Sequence, residues 1–111
     1  MTLHDLSARH CSPLRGVEHR LDDARIAELL AQLPGWALVD GQLSKTFQFT
    51  DYAQTLTFAN GIAWVAEREN HHPEMVIGFN RCRVAYATHD VRGLSLNDFI
   101  SAAKIEALRS L

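Results

Sequence analysis

The sequence predicts an α+β domain in which a four-stranded, mostly antiparallel sheet carries three helices on one face. Three segments have apolar residues at helical spacing, whereas four shorter extended segments occur as two consecutive pairs. The resulting order is helix, hairpin, helix, hairpin, helix, and hairpins place successive strands antiparallel. With 111 residues, of which 47% are hydrophobic, the chain has the size of one domain with a genuine core.

The first helix and the first hairpin are predicted by their apolar spacing and by a turn signal. Leucine and isoleucine recur at helical spacing within residues 22–33, and a Pro-Gly pair follows. Residues 36–39 are expected to form a strand. Asp40 and Gly41 favour a two-residue turn, so residues 43–49 form the returning strand.

The second helix is long and has clear boundaries. Asp51 is expected to cap its start with Gln54, three residues later, as the partner in a capping box. The helix must end within residues 70–72, because Pro73 forces the residue before it out of the helical conformation. Its buried face is expected to consist of Tyr52, Leu56, Ala59, Ile62, Ala63 and Ala66.

The second hairpin and the last helix complete the pattern. Residues 74–79 and 81–88 are expected to be strands. Gly93 interrupts the chain after them, and Ser95 with Asp98 predicts a second capping box at the start of the final helix.

The beginning of the chain lacks such periodicity, and Pro13 and Gly16 interrupt it further. We therefore predict a loosely structured segment over residues 1–20 and a folded domain over residues 21–111.

Bulk properties argue against several classes of protein. The formal net charge of −2 disfavours a nucleic-acid-binding protein, because such proteins carry a clear basic excess. Apolar runs fall far short of the ~20 residues that cross a membrane, and the first residues lack the apolar core of a secretory signal. Cys11 and Cys82 match neither a disulfide framework nor a zinc-binding spacing. We expect a cytoplasmic protein with two reduced thiols and no membrane or nucleic-acid partner.

Three histidines at two junctions are the candidate functional groups. His71 and His72 lie where the second helix leads into the third strand, and His89 lies at the end of the fourth strand. Side chains at such junctions project into clefts. Imidazole, with an ordinary pKa of about 6.5, exchanges protons near neutral pH. With Glu67 and Asp90 nearby, the histidines suit general acid–base catalysis.

Spacing alone leaves three interpretations of these histidines open. They are surface or capping residues, they are acid–base or binding residues, or they ligate zinc or iron together with Asp90 or Glu67. No H-x-H, H-x3-H or HExxH spacing is present, which weighs against the metal site.

The histidines belong to a longer pattern that covers most of the chain. An acidic residue, three spacers and His-His-Pro precede an aromatic residue, a further histidine and an aspartate, filled here by Glu67, His71, His72, Pro73, Phe79, His89 and Asp98. This pattern resembles the signature of the pterin-4a-carbinolamine dehydratases. The resemblance covers about residues 21–108 and includes Pro34-Gly35-Trp36, which lie upstream of the histidine pattern.

The resemblance implies an enzyme that dehydrates a 4a-hydroxytetrahydropterin to the quinonoid dihydropterin. This step allows the tetrahydropterin cofactor of an aromatic amino acid hydroxylase to be recycled. The resemblance also implies a homodimer or homotetramer that uses neither a metal nor a cofactor. It makes His71 and His89 the acid–base pair and gives His72 the task of orienting the pterin.

The resemblance further implies a set of substrate-binding residues: Glu67, Pro73, Thr88, Asp90 and Trp36. Glu67 and Asp90 would tune the imidazoles or meet polar edges of the pterin. Trp36 would line the pocket or simply pack, and the ordinary role of Asp98 is to cap the last helix.

A non-catalytic protein on the same scaffold is the alternative function. The resemblance extends to relatives that act as a transcriptional coactivator or as an assembly factor for Rubisco. A protein released from catalysis has little physical need for Glu67 and all three histidines, so their presence favours activity.

Overall fold

The computed structural model describes residues 1–109, in which four strands form one sheet beside four α-helices. The helices are α1 (Leu3–Ala8), α2 (Asp23–Leu30), α3 (Tyr52–Glu69) and α4 (Leu96–Arg109). The strands are β1 (Ala37–Val39), β2 (Gln42–Gln48), β3 (Glu74–Ile77) and β4 (Arg81–Tyr86), and two short 3₁₀ turns cover Val17–His19 and His89–Val91. Within residues 1–109, no helix has both the length and the apolar character needed to cross a membrane.

The sheet has the order β1-β2-β4-β3, and every neighbouring pair is antiparallel. The predicted α+β class is therefore confirmed. Directly opposite residues of β2 and β4 share one side of the sheet. Leu43 pairs with Tyr86 and Phe47 pairs with Cys82, and all four are buried. The reverse side is largely polar and carries exposed residues such as Gln48.

The turn between β1 and β2 has the geometry that its sequence predicts. Asp40 and Gly41 have φ values of 51° and 78°, and Val39 pairs with Gln42. Two consecutive positive φ values are typical of the turn that matches the twist of a hairpin, and the Asp-Gly pair tolerates them.

Helix α3 begins and ends as predicted, with one difference in its cap. The Asp51 carboxylate accepts the Gln54 backbone N–H at 2.8 Å, whereas the Gln54 side chain accepts from the Thr50 N–H at 3.1 Å rather than from Asp51. The helix ends at Glu69, and Asn70 adopts the left-handed conformation with φ of 50°. Asparagine tolerates this conformation better than most residues, and it turns the chain toward the two histidines.

The predicted buried face of α3 is wrong in part. Tyr52, Leu56 and Ala63 are exposed, and the helix instead buries Thr55, Phe58, Ala59, Ile62 and Ala66. The ring of Phe58 packs against Phe47 and Phe49 at centroid distances of 4.6 and 5.1 Å, which fixes the rotation of the helix. Thr55 is accommodated in the core because its hydroxyl donates to the Asp51 carbonyl at 2.8 Å.

The expectation of a loosely structured segment over residues 1–20 is not met at α1. Thr2 and Asp5 form a reciprocal capping box at its start, and Leu6 is fully buried in the main core. Helix α1 packs against α4, and Lys104 of α4 donates to the Ser7 carbonyl. A helix of six residues is too short for periodicity to reveal, and its packing partner lies far away along the chain.

The packing of α1 yields a first prediction. Replacing Leu6 with alanine should lower the free energy of unfolding by about 2–4 kcal/mol, because the change opens a cavity in a closed core. Urea denaturation measures this loss. The matched control is Val17→Ala, an exposed position before the first predicted helix, which should shift the free energy by less than ~0.5 kcal/mol. Equal effects of the two substitutions would show that α1 does not pack as described.

Candidate active site

A buried carboxylate, that of Asp98 in the first turn of α4, organises the candidate site. One of its oxygens, Oδ2, accepts the Ser95 backbone N–H at 2.9 Å and the Thr88 hydroxyl at 2.8 Å. The other, Oδ1, lies 2.6 Å from Nε2 of His71. Asp98 is fully buried. The predicted capping role is therefore only one of three, because the same carboxylate also holds the end of β4 and a catalytic candidate.

His71 is held on two sides. Its ring lies nearly parallel to that of Tyr86, with a centroid distance of 5.6 Å and an interplanar angle of 10°. Since the carboxylate of Asp98 can only accept, Nε2 carries the proton that bonds to it, and Nδ1 remains for a ligand. The side chain is 13% exposed, so solvent reaches only a small part of it. A fixed tautomer with one free nitrogen suits proton transfer.

Tyr86, beneath this imidazole, is itself unusual. Its hydroxyl is buried and lacks a hydrogen-bond partner within residues 1–109, although the Ser101 hydroxyl lies close to it. Burial raises the pKa of Tyr86 well above its ordinary value, so the phenol stays neutral.

His72 is held much less firmly than His71. Its Nε2 lies 3.2 Å from Oε1 of Glu67, and both side chains are largely exposed. Ion pairs of this kind contribute little to stability. The two adjacent histidines therefore differ in environment: His71 meets a buried carboxylate, whereas His72 meets an exposed one.

His89 is exposed and opens the short 3₁₀ turn after β4. Within the described part of the chain, its side chain takes part in no hydrogen bond, ion pair or ring contact. An isolated pairing of Thr88 with Gly93 encloses the turn, and Arg92, directly after it, has φ of 57°. Because Thr88 also donates to Asp98, the backbone beside His89 is tied to the same carboxylate that holds His71.

A polar cavity of about 380 Å³ lies against His71. Three of the predicted site residues line it: His71, Thr88 and Asp90. The remaining lining residues come from the N-terminal segment, the end of α3 and the start of α4, and they are Cys11, Ser12, Pro13, Leu14, Arg15, Arg68, Glu69, Asn70 and Asn97. His72, His89, Glu67 and Pro73 are not in the lining of this cavity, so of the three histidines it gathers only one.

Sequence reasoning missed the N-terminal wall of the cavity, which we call the strap and define as residues 10–16. The Cys11 N–H donates to Glu69 at 2.7 Å, and the Gly16 N–H donates to the Asp90 carbonyl at 3.1 Å. Between them, the Ser12 backbone exchanges two hydrogen bonds with the Asn97 side chain, at 3.2 and 2.7 Å. The Cys11-Ser12-Pro13 sequence indicated no functional role, because these partners lie more than fifty residues away.

Glu69 is the electrostatic anchor of the strap. Burial opposes its ionisation, but the Cys11 N–H together with His10 and Lys104 more than offsets that effect, so the pKa of Glu69 is lowered. Nδ1 of His10 lies 3.0 Å from its carboxylate. Cys11 itself is not activated, because burial raises the pKa of its thiol to about 11.

Trp36 was expected to wall the pocket or to pack, and its contacts are those of a packing residue. It is buried, its ring meets Phe47 edge-on at 6.0 Å, and its indole N–H donates to Glu106 at 2.9 Å. Glu106 belongs to the last turn of α4, whereas Asp98 belongs to the first. These contacts place Trp36 in the core and outside the lining of the cavity beside His71.

A larger groove of about 580 Å³ lies between α3 and the end of α4 and is mainly apolar. Its ionisable residues are Asp51, which caps α3, and Arg109. None of the three candidate histidines lines it, so size alone does not make it the reactive site.

We also searched the described residues for groups of side chains that could bind a metal ion. Among residues 1–109, histidine, cysteine and carboxylate side chains form no cluster of three or more that could hold a metal ion.

Comparison with known proteins bears directly on this geometry. The sequence profile of the family described as pterin 4 alpha carbinolamine dehydratase matches residues 19–108. The chain belongs to this family. It is thereby a member of a family of dehydratases, which are hydro-lyases, and the resemblance predicted from the sequence is confirmed.

Relatives within the dehydratase family are close. A protein of Xanthomonas campestris, provisionally named pterin-4-alpha-carbinolamine dehydratase, is 50% identical over 105 residues, which cover 93% of this chain and 89% of the relative. A protein of Stenotrophomonas maltophilia with the same provisional name is 51% identical over 105 residues and covers the same share of this chain and 90% of its own length.

Solved structures in the dehydratase family include proteins with different roles. A transcriptional coactivator/pterin dehydratase from Brucella melitensis is 35% identical with a TM-score of 0.76, covering 80% of this chain and 97% of its own. A pterin dehydratase-like protein identified as a RuBisCO assembly factor in the alpha-carboxysome is 27% identical with a TM-score of 0.55. The match covers 66% of this chain and 84% of that protein's chain. The scaffold therefore carries more than one function.

The buried anchor of the strap gives a pH-dependent prediction. Because the folded pKa of Glu69 lies below its ordinary value of 4.5, its stabilising contribution is fully present above about pH 4.5 and is lost as pH falls through the folded pKa. Glu69→Gln should therefore be less stable than the wild type above that pH, and the two should converge at lower pH. Urea denaturation across a pH series measures this difference. Glu67→Gln, an exposed carboxylate two residues away, should give no such convergence. A constant difference at every pH would contradict the assignment.

Proposed function

We propose that this protein dehydrates a 4a-hydroxytetrahydropterin to the quinonoid dihydropterin and water by histidine acid–base catalysis, without a metal or cofactor. The substrate would be supplied by an aromatic amino acid hydroxylase, and the product would be reduced again to the tetrahydropterin. Family membership supports the reaction. The observation that carries the mechanism is the His71–Asp98 pair at the wall of a polar cavity.

The chemistry requires two proton transfers. The C4a–O bond breaks and the departing hydroxyl takes up a proton, while N5 loses its proton as the C=N bond forms. The sum is one molecule of water and a neutral dihydropterin. General acid or base assistance contributes about 10²–10⁴-fold per group. Two groups that exchange protons near neutral pH are therefore sufficient, and imidazole is the side chain best suited.

His71 is our candidate for one proton transfer. The Asp98 hydrogen bond supports one tautomer of His71 and the Tyr86 ring supports one plane, which would leave Nδ1 available to a ligand. A positioned group of this kind loses little entropy when the substrate arrives.

His89 is our candidate for the other transfer, and His72 is proposed to orient the pterin. The side chain of His89 is exposed and uncommitted within residues 1–109, and its backbone follows Thr88, which is bonded to Asp98. His72 and its partner Glu67 lie on the exposed side of the same junction as His71.

The proposed binding residues have unequal support. The Asp90 carboxylate lines the cavity, and a carboxylate suits the adjacent N–H donors on the pyrimidine edge of a pterin. Thr88 also lines the cavity, although its hydroxyl already bonds to Asp98. Glu67 and Pro73 would act from the exposed side with His72, whereas the contacts of Trp36 support packing.

The free state of Cys11 and Cys82 supports a cytoplasmic setting for this reaction, because thiols stay reduced in that compartment.

The proposed mechanism predicts a large loss of activity for two variants. His71→Ala and His89→Ala should each lower kcat by about 10²–10⁴-fold, because each removes one proton-transfer group. Stopped-flow absorbance of a freshly generated 4a-hydroxytetrahydropterin measures the rate. The matched control is His19→Ala, an exposed histidine outside the cavity, which should keep the wild-type rate.

The outcomes separate the competing functions. Wild-type protein that leaves the spontaneous decay of the carbinolamine unchanged would favour the alternative, a non-catalytic binding or assembly protein. Activity that a chelator removes and that zinc or iron restores would favour the metal site. Activity that survives in both histidine variants would contradict the acid–base assignment.

We also propose that two copies of the chain associate through β3, an outer strand of the sheet. Val76 on this strand is 54% exposed, and Phe79 just beyond it is 66% exposed. An outer strand with exposed apolar side chains is a ready site for pairing with a second strand. This arrangement would produce the homodimer or, with a second interface, the homotetramer that the family resemblance implies.

Pairing through β3 predicts that a charge on this strand reduces the assembly. Val76→Lys should halve the molar mass measured by light scattering after gel filtration, because a lysine on an edge opposes strand pairing. A homodimer would become a single chain, and a homotetramer would become a dimer held by its second interface. Val39→Lys, on the opposite outer strand β1, should leave the mass of the wild type unchanged. A wild type of single-chain mass, or a Val76→Lys protein that keeps the larger mass, would contradict the proposal.

A further inference from the structure

Two arginines of the cavity beside His71 are not used by the proposed reaction. Arg15 comes from the strap and Arg68 comes from α3, and both line the same cavity. Neither side chain has a hydrogen bond or an ion pair with another residue in the described part of the chain. An unpaired guanidinium carries five donors in a plane, and its preferred partners are carboxylates and phosphates.

The lining holds two arginines and two carboxylates, but one of these carboxylates is already engaged by other residues. Glu69 also lines the cavity, but its carboxylate already accepts from the Cys11 N–H, lies 3.0 Å from His10 and lies 3.9 Å from Lys104. Asp90 is the one uncommitted carboxylate of the lining, against two uncommitted guanidinium groups. The lining therefore offers two unpaired guanidinium groups beside one unpaired carboxylate, although the chain as a whole has a net charge of −2.

Arg15 is also presented from a fixed backbone. The bonds of Ser12 with Asn97 hold the strap on one side of it, and the bond from the Gly16 N–H to Asp90 holds the strap on the other. A side chain on an anchored segment loses less entropy on binding than one on a free tail. The strap from residue 10 to residue 16 precedes the region that the family profile matches, which begins at residue 19.

We infer that Arg15 and Arg68 bind an anionic group on the C6 side chain of the pterin, so that the strap selects substrates with an acidic side chain over neutral ones. The inference rests on the proposed function for the identity of the ring. It assigns the two arginines to specificity and leaves the proton transfers to the histidines.

A binding experiment that needs no turnover tests this inference. Fluorescence titration of the full chain with pterin-6-carboxylate and with 6-hydroxymethylpterin compares an anionic with a neutral substituent on the same ring. The wild type should bind the carboxylate about tenfold more tightly, as expected for a charge-assisted hydrogen bond in a partly exposed site. Arg15→Gln and Arg68→Gln should each bring the ratio of the two dissociation constants close to one.

The matched control is Arg9→Gln. Arg9 is exposed at the end of α1, lies outside the lining of this cavity, and carries the same charge on the same N-terminal segment. Arg9→Gln should keep the wild-type ratio of the two dissociation constants. A lower ratio in Arg9→Gln would mean that the overall charge of the segment, rather than a guanidinium in the cavity, determines the preference. Circular dichroism of all three variants confirms that each has folded.

Turnover of carbinolamines with the same two substituents separates this inference from the proposed function. Dehydration of both substrates with equal kcat/KM, together with a binding ratio near one in the wild type, would overturn the inference and leave the proposed reaction intact. Binding of the carboxylate that depends on Arg15 in a protein with no dehydratase activity would support the anion site and overturn the reaction. A preference that persists in both arginine variants would overturn the assignment to these residues.

Discussion

The site depends on one buried carboxylate. Asp98 accepts hydrogen bonds from the start of α4 and from the end of β4, and it faces the imidazole that follows α3. A carboxylate removed from water is costly unless its oxygens are satisfied, and here three partners satisfy them. These partners follow α3, follow β4 and precede α4. The hydrogen bonds of the Asp98 carboxylate therefore form only when these three parts of the chain meet. The position of His71 is thus a consequence of how the domain closes.

Much of this arrangement was predictable from the sequence, and the reasons differ from element to element. The β1–β2 turn follows from Asp40 and Gly41, and the end of α3 follows from Pro73, because each depends on local backbone chemistry. The rotation of α3 was not predictable, since the position of Phe58 is set by Phe47 and Phe49 across the core. Local rules describe where an element starts and stops, whereas its buried face depends on what it packs against.

The candidate site shows the same division. The spacing of His71 and Asp98 belongs to a recognisable pattern, yet nothing in that spacing indicates that the aspartate holds the histidine. The strap was missed entirely. Its hydrogen bonds connect residues 11–12 with Glu69 and Asn97. Hydrogen bonds between residues so distant along the chain produce no periodic pattern in the sequence. For Trp36 the sequence left two roles open, lining the pocket or packing, and only its contacts with Phe47 and Glu106 favour packing.

The anchoring of the strap has a practical consequence for work with this protein. Its attachment points, Glu69 and Asn97, stand two residues before His71 and one residue before Asp98. A displacement of the N-terminal segment would therefore be transmitted to the position of the His71 imidazole. An affinity tag or fluorophore fused ahead of Thr2 is separated from the strap by little more than the short helix α1. Such a group should therefore be removed before kinetic measurements.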